Sequence, residues 1–240
     1  MAWSSVYQNW RQSKMASITL QQLFRYYDSL PHQQAAISEL EEDLAANGYQ
    51  QTMDRSRPWF KTWSQSGRRT NPLPVVYMSQ RDNYRDASRT CFSSSCAMLL
   101  AYRKPGVISS DDDYIRTVFK IGDTTDASVQ IKALTHYGLK AAFVRSGDRS
   151  VIHQQIDAGK PVPCGFLHHG TVSNPSGGGH WLCIIGYDTT GYWVHDPWGE
   201  CNLASGVYSS MAGAKLHYSY AQWEPRWMPD GPKSGWCIIA

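Results

Sequence analysis

Gly177-Gly178-Gly179-His180-Trp181-Leu182-Cys183-Ile184-Ile185-Gly186-Tyr187-Asp188-Thr189-Thr190-Gly191-Tyr192-Trp193-Val194-His195-Asp196-Pro197-Trp198-Gly199 is the stretch on which the fold turns. It holds two β-type runs, joined at Asp188-Thr189-Thr190-Gly191, a strong hairpin signal. His180 opens the first run directly after a glycine run, and Asp196 closes the second ahead of Pro197. Further back, Thr90-Cys91-Phe92-Ser93-Ser94-Ser95-Cys96-Ala97-Met98-Leu99-Leu100 passes from small polar residues into a helix former's pattern, with Cys91 at its start. A thiol at a helix N-terminus feels the positive end of the helix dipole, which favours thiolate. A histidine on a neighbouring strand completes that activation, and a carboxylate orients the histidine. Cys, His and Asp in this order predict a cysteine hydrolase.

The elements around these residues predict an α+β fold. Leu73 to Met78 reads as a short strand and Ser93 to Tyr102 as a helix stopped by Pro105-Gly106. Ser110 caps a helix through Phe119 with Asp111, Asp112 and Asp113 in its first turn. A helix from Ala127 to Tyr137 ends at Gly138, ahead of a strand from Leu139 to Val144. A short helix from Val151 ends at Gly159 before a strand from Val162 to Leu167. A helical front half then carries the thiol, a mainly antiparallel back half carries His180 and Asp196, and the cleft lies between them.

Composition shifts near residue 70. Residues 1–70 read as a helical region: Thr19-Leu20-Gln21-Gln22 resembles a capping box, and a second helix starts at Pro31 and ends at Asn47-Gly48. The polar stretch from Ser64 to Pro72 is the expected linker to a domain over residues 71–240. The N-terminal helices are expected either to dock on cell wall or to decorate the larger domain.

The chain has 240 residues, enough for a large core, and a formal charge of only +3, so nothing in it demands a nucleic-acid partner. Its apolar runs fall far short of the roughly 20 residues of a spanning helix, so no stable membrane association is expected. Met1-Ala2-Trp3-Ser4-Ser5 has neither the basic start nor the apolar core of a secretory signal. Six cysteines occur without a Cys-x-x-Cys pair, so zinc-ribbon and thioredoxin readings lack their spacing and free thiols are expected. Asp111, Asp112 and Asp113 lack the alternating oxygen ligands of a calcium loop and read as helix-dipole partners; no metal and no cofactor are expected.

Cysteine before a helix, Gly-His opening a strand and Asp-Pro-Trp-Gly ending the next together resemble the papain-like cysteine peptidases, in the bacteriocin-leader (double-glycine) branch. Gln80-Arg81-Asp82-Asn83, the run from Thr117 to Asp126, Gly177 to Trp181, His195 to Glu200 and Arg226-Trp227-Met228 resemble, more narrowly, phage endolysins of that group. The resemblance covers roughly residues 73 to 236. It implies Cys91 as nucleophile, His180 as general base and acid, Asp196 as the residue orienting the imidazole, and Gln80 as an oxyanion-hole donor. The spacing from Gln80 to Cys91 exceeds the family's usual gap, so Tyr84 to Arg89 must loop out, and Asn83 is a rival donor. His168-His169 rivals His180, and Asp188 is second to Asp196. Trp181 and Trp198 flank the expected site and, with Gly178 and Gly179, are candidate substrate contacts; aromatics also simply fill cores.

The expected substrate is the peptide part of bacterial peptidoglycan, with a monomeric enzyme residing in the host cytoplasm until lysis and then acting in the periplasm or cell wall. Endopeptidase action is favoured over amidase action. Two alternatives stay open. One is a protein-processing cysteine peptidase, which would normally come with a transporter region; the other is a non-catalytic wall-binding or virion module.

Overall fold

The computed structural model describes residues 49–53, 61–65 and 71–240. The chain divides into two units, Met1–Arg68 and Arg69–Ala240. In the first, β1 (Tyr49–Met53) and β2 (Lys61–Gln65) form an antiparallel hairpin in which Tyr49 faces Gln65 and Met53 faces Lys61. Ser64 and Gln65, read as the start of a linker, close β2 instead; Thr62 and Trp63 beside them are good strand formers. The two expected N-terminal helices lie outside the described residues.

The second unit places helices first and the sheet after them. Helices α1 (Cys91–Arg103), α2 (Asp111–Ile121) and α3 (Ala127–His136) come before β3 (Ala142–Gly147) and α4 (Arg149–Asp157). Next come β4 (Val162–Phe166), β5 (His169–Thr171), β6 (Asn174–Ser176), β7 (His180–Tyr187) and β8 (Gly191–His195). The chain continues through β9 (Glu200–Asn202), β10 (Val207–Ser210), β11 (Leu216–Ser219), α5 (Tyr220–Trp227) and β12 (Gly235–Ile239). Six strands form one antiparallel sheet in the order β11-β8-β7-β4-β12-β3.

Local chemistry sets the element ends. Ser110 Oγ accepts the Asp113 amide at 3.4 Å and starts α2, while Asp126 and Asp148 cap α3 and α4 through side-chain oxygens. Gly138 and Gly159 end α3 and α4 at positive φ. At the hairpin tip Asp188 Oδ1 accepts the amides of Thr190 at 2.7 Å and Gly191 at 3.0 Å. Strands β4 and β7 are buried along nearly their whole length, because α1 and α4 both pack on them. That explains why their sequences read as unbroken apolar runs.

Leu73 to Met78 does not form the expected strand. Its backbone has no ladder, because Pro72 and Pro74 have no N–H to give. The segment is nonetheless pinned: Leu73 donates to the carbonyl of Ile185 at 2.7 Å, and the Asn71 side chain exchanges two 2.9 Å hydrogen bonds with the Tyr187 backbone. Leu73 and Val75 point into the core.

This segment meets β7 at a β-bulge. Tyr187 faces Tyr192 and Gly186 faces Trp193, but Ile184 faces Val194 and Cys183 faces His195, leaving Ile185 as the extra residue. Leu73 takes up the carbonyl that the bulge leaves out of the ladder. Gly186 allows the approach, since a Cβ there would lie 2.6 Å from Pro72 Cα. Fully buried Arg226 donates to the carbonyls of Leu167, His169, Gly170 and Leu203, tying the β5–β6 hairpin to α5.

Because the obstacle at Gly186 is backbone, Gly186→Ala should destabilise the domain by about 1–3 kcal/mol. A denaturant midpoint equal to that of the unmodified chain would show that the Asn71–Leu73 segment yields freely.

Candidate active site

Cys91 is the first residue of α1 and is partly exposed, whereas the other five cysteines are buried. Thr90, just before it, does not cap the helix. Its hydroxyl donates to Ala87 O at 3.2 Å and accepts from Asn83 Nδ2 at 2.8 Å, so the first amides of α1 receive no oxygen from it.

His180 opens β7 and is buried, with its Nε2 2.6 Å from Asp196 Oδ1. The Cys91 sulfur also acts on the ring's charge, and with Nε2 committed to Asp196, Nδ1 is the nitrogen left for it. Burial alone would drive the ring to its neutral form. The carboxylate of Asp196 and the sulfur of Cys91 outweigh that effect and raise the His180 pKa to about 10. Both neighbours thus favour the protonated ring.

Asp196 is fully buried just beyond β8, and both its oxygens have partners. Oδ1 also accepts the Trp198 amide at 3.0 Å, and Oδ2 faces the Tyr218 hydroxyl at 3.4 Å. Tyr218 accepts the Cys201 amide at 2.9 Å, which directs its own proton to Asp196. The Asp196 backbone is fixed as well, donating to Gly213 O at 2.8 Å and accepting from Tyr77 Oη at 3.1 Å.

Gln80 lies in a short 3₁₀ turn, Gln80–Asp82, and is 1% exposed. Its amide donates to Pro197 O at 3.0 Å, beside Asp196, and its Nε2 donates to Ala87 O at 2.7 Å, shortly before Cys91. One Nε2 hydrogen remains, and Oε1 is buried without a partner. The insertion from Tyr84 to Arg89 does loop out: Asp86 adopts the left-handed conformation, Arg85 stacks over Phe119 and Arg89 pairs with Asp123 at 2.9 Å. Asn83, the rival donor, spends both Nδ2 hydrogens on Thr90 Oγ1 at 2.8 Å and Ser94 Oγ at 3.0 Å. Ser94 in turn donates to buried Asp111 at 2.6 Å, while Asp112 accepts the Tyr84 amide and Asp113 accepts Ser109.

The other expected contacts sit as follows. Trp181 stacks face to face on Phe92 at 3.5 Å, joining β7 to the start of α1. Trp198 carries the Arg81 guanidinium over its ring at 4.0 Å. Gly178 and Gly179 border open space, with Gly179 at φ +89°. His195 is a buried staple, donating from Nε2 to Val75 O at 2.9 Å and accepting the Lys215 amide at Nδ1 at 2.9 Å. Burial holds its pKa down. His168 does not take the place of His180; its ring lies 5.6 Å from that of His180. Asp188 is spent in the hairpin tip and on His217 at 3.0 Å. Sequence reading passed over Tyr208 and Tyr218, which reach the site from β10 and β11, because a tyrosine on a short strand carries no signal of what it faces.

The model of the peptidase C39-like family matches residues 72–225, more than half of the chain. The chain belongs to that family. It is thus a member of a cysteine peptidase family, and its α+β arrangement, with cysteine on the helical side and His and Asp on the sheet, is papain-like. Among solved structures, this C39-like chain is similar to a Bacillus anthracis protein described as a C39-like peptidase: 15% identity, TM-score 0.48, over 69% of this chain and 93% of that one. It is also similar to a double glycine motif protease from an AMS/PCAT transporter, solved with its leader peptide: 20% identity, TM-score 0.41, over 79% of this chain and 96% of that one. No curated protein matches.

Two measurements test the site. Iodoacetamide should modify Cys91 before any other cysteine, read by mass mapping of the folded protein; first labelling elsewhere would count against it. The pKa of His180 is raised above its ordinary 6.5, so its charge contributes stability that is fully present below that value and lost as pH rises through about 10. NMR titration should find the ring charged at neutral pH, and Asp196→Asn should bring the midpoint down; an unchanged midpoint would remove Asp196 as the cause.

Proposed function

We propose that this chain is a peptidoglycan hydrolase of the phage-endolysin type, cutting amide bonds in the peptide part of the wall. The observation that carries the reaction class is the juxtaposition of the Cys91 thiol, His180 and the fully held Asp196. Cys91 attacks the amide carbon as thiolate. The uncapped amides at the start of α1 and the remaining Nε2 hydrogen of Gln80 are the donors available to the oxyanion. His180 gives its proton to the leaving amine, then takes one from the water that hydrolyses the thioester.

The substrate assignment rests on the motif set. Gln80-Arg81, Trp181, Asp196-Pro197-Trp198 and Arg226 belong to the pieces that resemble the endolysin group, beside the run from Thr117 to Asp126, and these four support one site. Arg81 stacks on Trp198, Trp181 backs the start of α1, and Arg226 ties down the hairpin ahead of the glycine loop. Glycan cleavage is disfavoured, since it usually needs two carboxylates flanking the scissile bond, and Asp196, the carboxylate at the imidazole, is buried and bonded to His180. Cleavage of protein leaders by the same chemistry is the second reading, and the family membership is equally compatible with it.

Purified walls treated with the protein should release new amino groups without new reducing ends, and Cys91→Ala should abolish that release. Gln80→Ala should lower kcat by about 100- to 1000-fold rather than to nothing. Muropeptide mass analysis is the readout. Untouched walls beside cleaved double-glycine leader peptides would transfer the assignment to the second reading.

A further inference from the structure

The imidazole of His180 is enclosed by three rings. Phe166, His168 and Tyr208 each lie with ring centroids 5.6 Å from it, and Tyr208 stands edge-on at 80°. Phe166 needs no polar partner. The other two are different: Tyr208 Oη and His168 Nδ1 are buried atoms without any hydrogen-bond partner. An unpaired buried polar atom costs roughly 1–3 kcal/mol, so two of them in contact with one histidine call for an explanation. His168 and Tyr208 are neighbours, their rings 6.3 Å apart, and both side chains are only half-buried as wholes. Their polar atoms are the buried parts, on rings that pack against the His180 imidazole. The Tyr208 hydroxyl lies near enough to both Asp196 and Cys91 to feel their charge.

The position of these atoms relative to the chemistry follows from the role of His180. A ring that protonates the leaving amine stands on the leaving side of the scissile bond, so groups packed on that ring border the residue that follows the bond. Gln80 is held elsewhere, between Pro197 and Ala87. We propose that Tyr208 Oη and His168 Nδ1 form a polar subsite for the leaving side of the substrate, taking the oxygen of a carboxylate or carboxamide on the residue after the cleaved bond. This rests on reading Cys91 as nucleophile and His180 as proton donor.

Two further features fit. Burial first, and then the nearby His180, His169 and Arg226, lower the pKa of His168 to about 4, so the ring is neutral, and its Nδ1 donates in one of its two tautomers. At the His168 end, Arg226 and His180 favour an oxygen ligand over an ammonium group. Above the subsite, the glycine loop leaves room for a substrate backbone: Gly177 packs on His168 and His169, while Gly178 and Gly179 have nothing within 4 Å of where a Cβ would stand. Peptidoglycan stems, with carboxyl groups beside their amide bonds, supply such an oxygen.

The test is a binding measurement on the full chain carrying Cys91→Ala, so that no turnover intervenes. The probes are the dipeptides glutamyl-alanine, glutaminyl-alanine and leucyl-alanine, whose free amine represents the leaving amine, titrated by NMR. The first two should bind about three- to tenfold more tightly than leucyl-alanine, the worth of one neutral hydrogen bond. The order of glutamyl against glutaminyl assigns carboxylate or carboxamide, and either order supports the subsite. Tyr208→Phe removes only an unpaired hydroxyl, so its melting temperature should hold or rise while the preference shrinks. Equal binding of all three probes, binding of none, or a preference that survives Tyr208→Phe combined with His168→Phe would overturn the proposal. The comparison of probes on the Cys91→Ala chain decides the matter even where a further variant fails to fold. Failure of the hydrolase reading shows separately, as no amide cleavage by the unmodified chain while the binding preference persists.

Discussion

The extra residue at Ile185 decides which face of the sheet Asp196 occupies. Counting back from the hairpin tip with an uninterrupted ladder, Tyr187 against Tyr192 and Gly186 against Trp193, Asp196 would stand opposite Cys183, on the face away from His180. The bulge moves the register by one, so that Cys183 faces His195 and, continuing, Asp196 falls opposite Leu182. Leu182 and His180 are two residues apart and share a face. A single unpaired residue thereby turns two side chains on opposite faces into a 2.6 Å ion pair. The bulge is not left to itself: the Leu73 amide takes its free carbonyl, and Gly186 leaves room for Pro72.

From that pair the electrostatics of the site follow. Burial of an imidazole ordinarily favours its neutral form, and here only a fully held carboxylate on one side and a sulfur on the other reverse the preference. Asp196 can do this because the Trp198 amide and the Tyr218 hydroxyl hold its two oxygens and the Gly213 carbonyl fixes its backbone. His195, one residue earlier, points to the other face and shows the contrast. Buried among backbone partners with no carboxylate beside it, it stays neutral and staples the segment at Val75 to the loop at Lys215.

The helical side contributes by what it withholds. Asn83 and Ala87 occupy the Thr90 hydroxyl, which would otherwise be free to cap α1. The helix that begins at Cys91 thus keeps its first amides available at the point where negative charge would develop. The same network draws Asn83 away from any direct role and leaves Gln80, anchored at both Pro197 and Ala87, as the side-chain amide between the two halves.

Much of this was legible in the residues themselves. Ser110, Gly138, Gly159 and Asp188-Thr189-Thr190-Gly191 mark element ends because capping and turn geometry are local, and the helix at Cys91 and the hairpin carrying His180 and Asp196 appear where the sequence puts them. Leu73 to Met78 misled because alternation of apolar residues says which faces are buried, not whether a ladder exists, and prolines at 72 and 74 forbid one. Sequence alone determined which residue types stand at the ends of which elements: a thiol at a helix start, an imidazole at one strand's start and a carboxylate past the next strand's end. Only the tertiary structure decided that they share one side of the sheet, since a bulge is a matter of one carbonyl finding a donor more than a hundred residues away in the chain. Only it brought Tyr208 and His168 around the imidazole and Tyr218 onto Asp196, because contacts among short strands depend on register and not on local sequence.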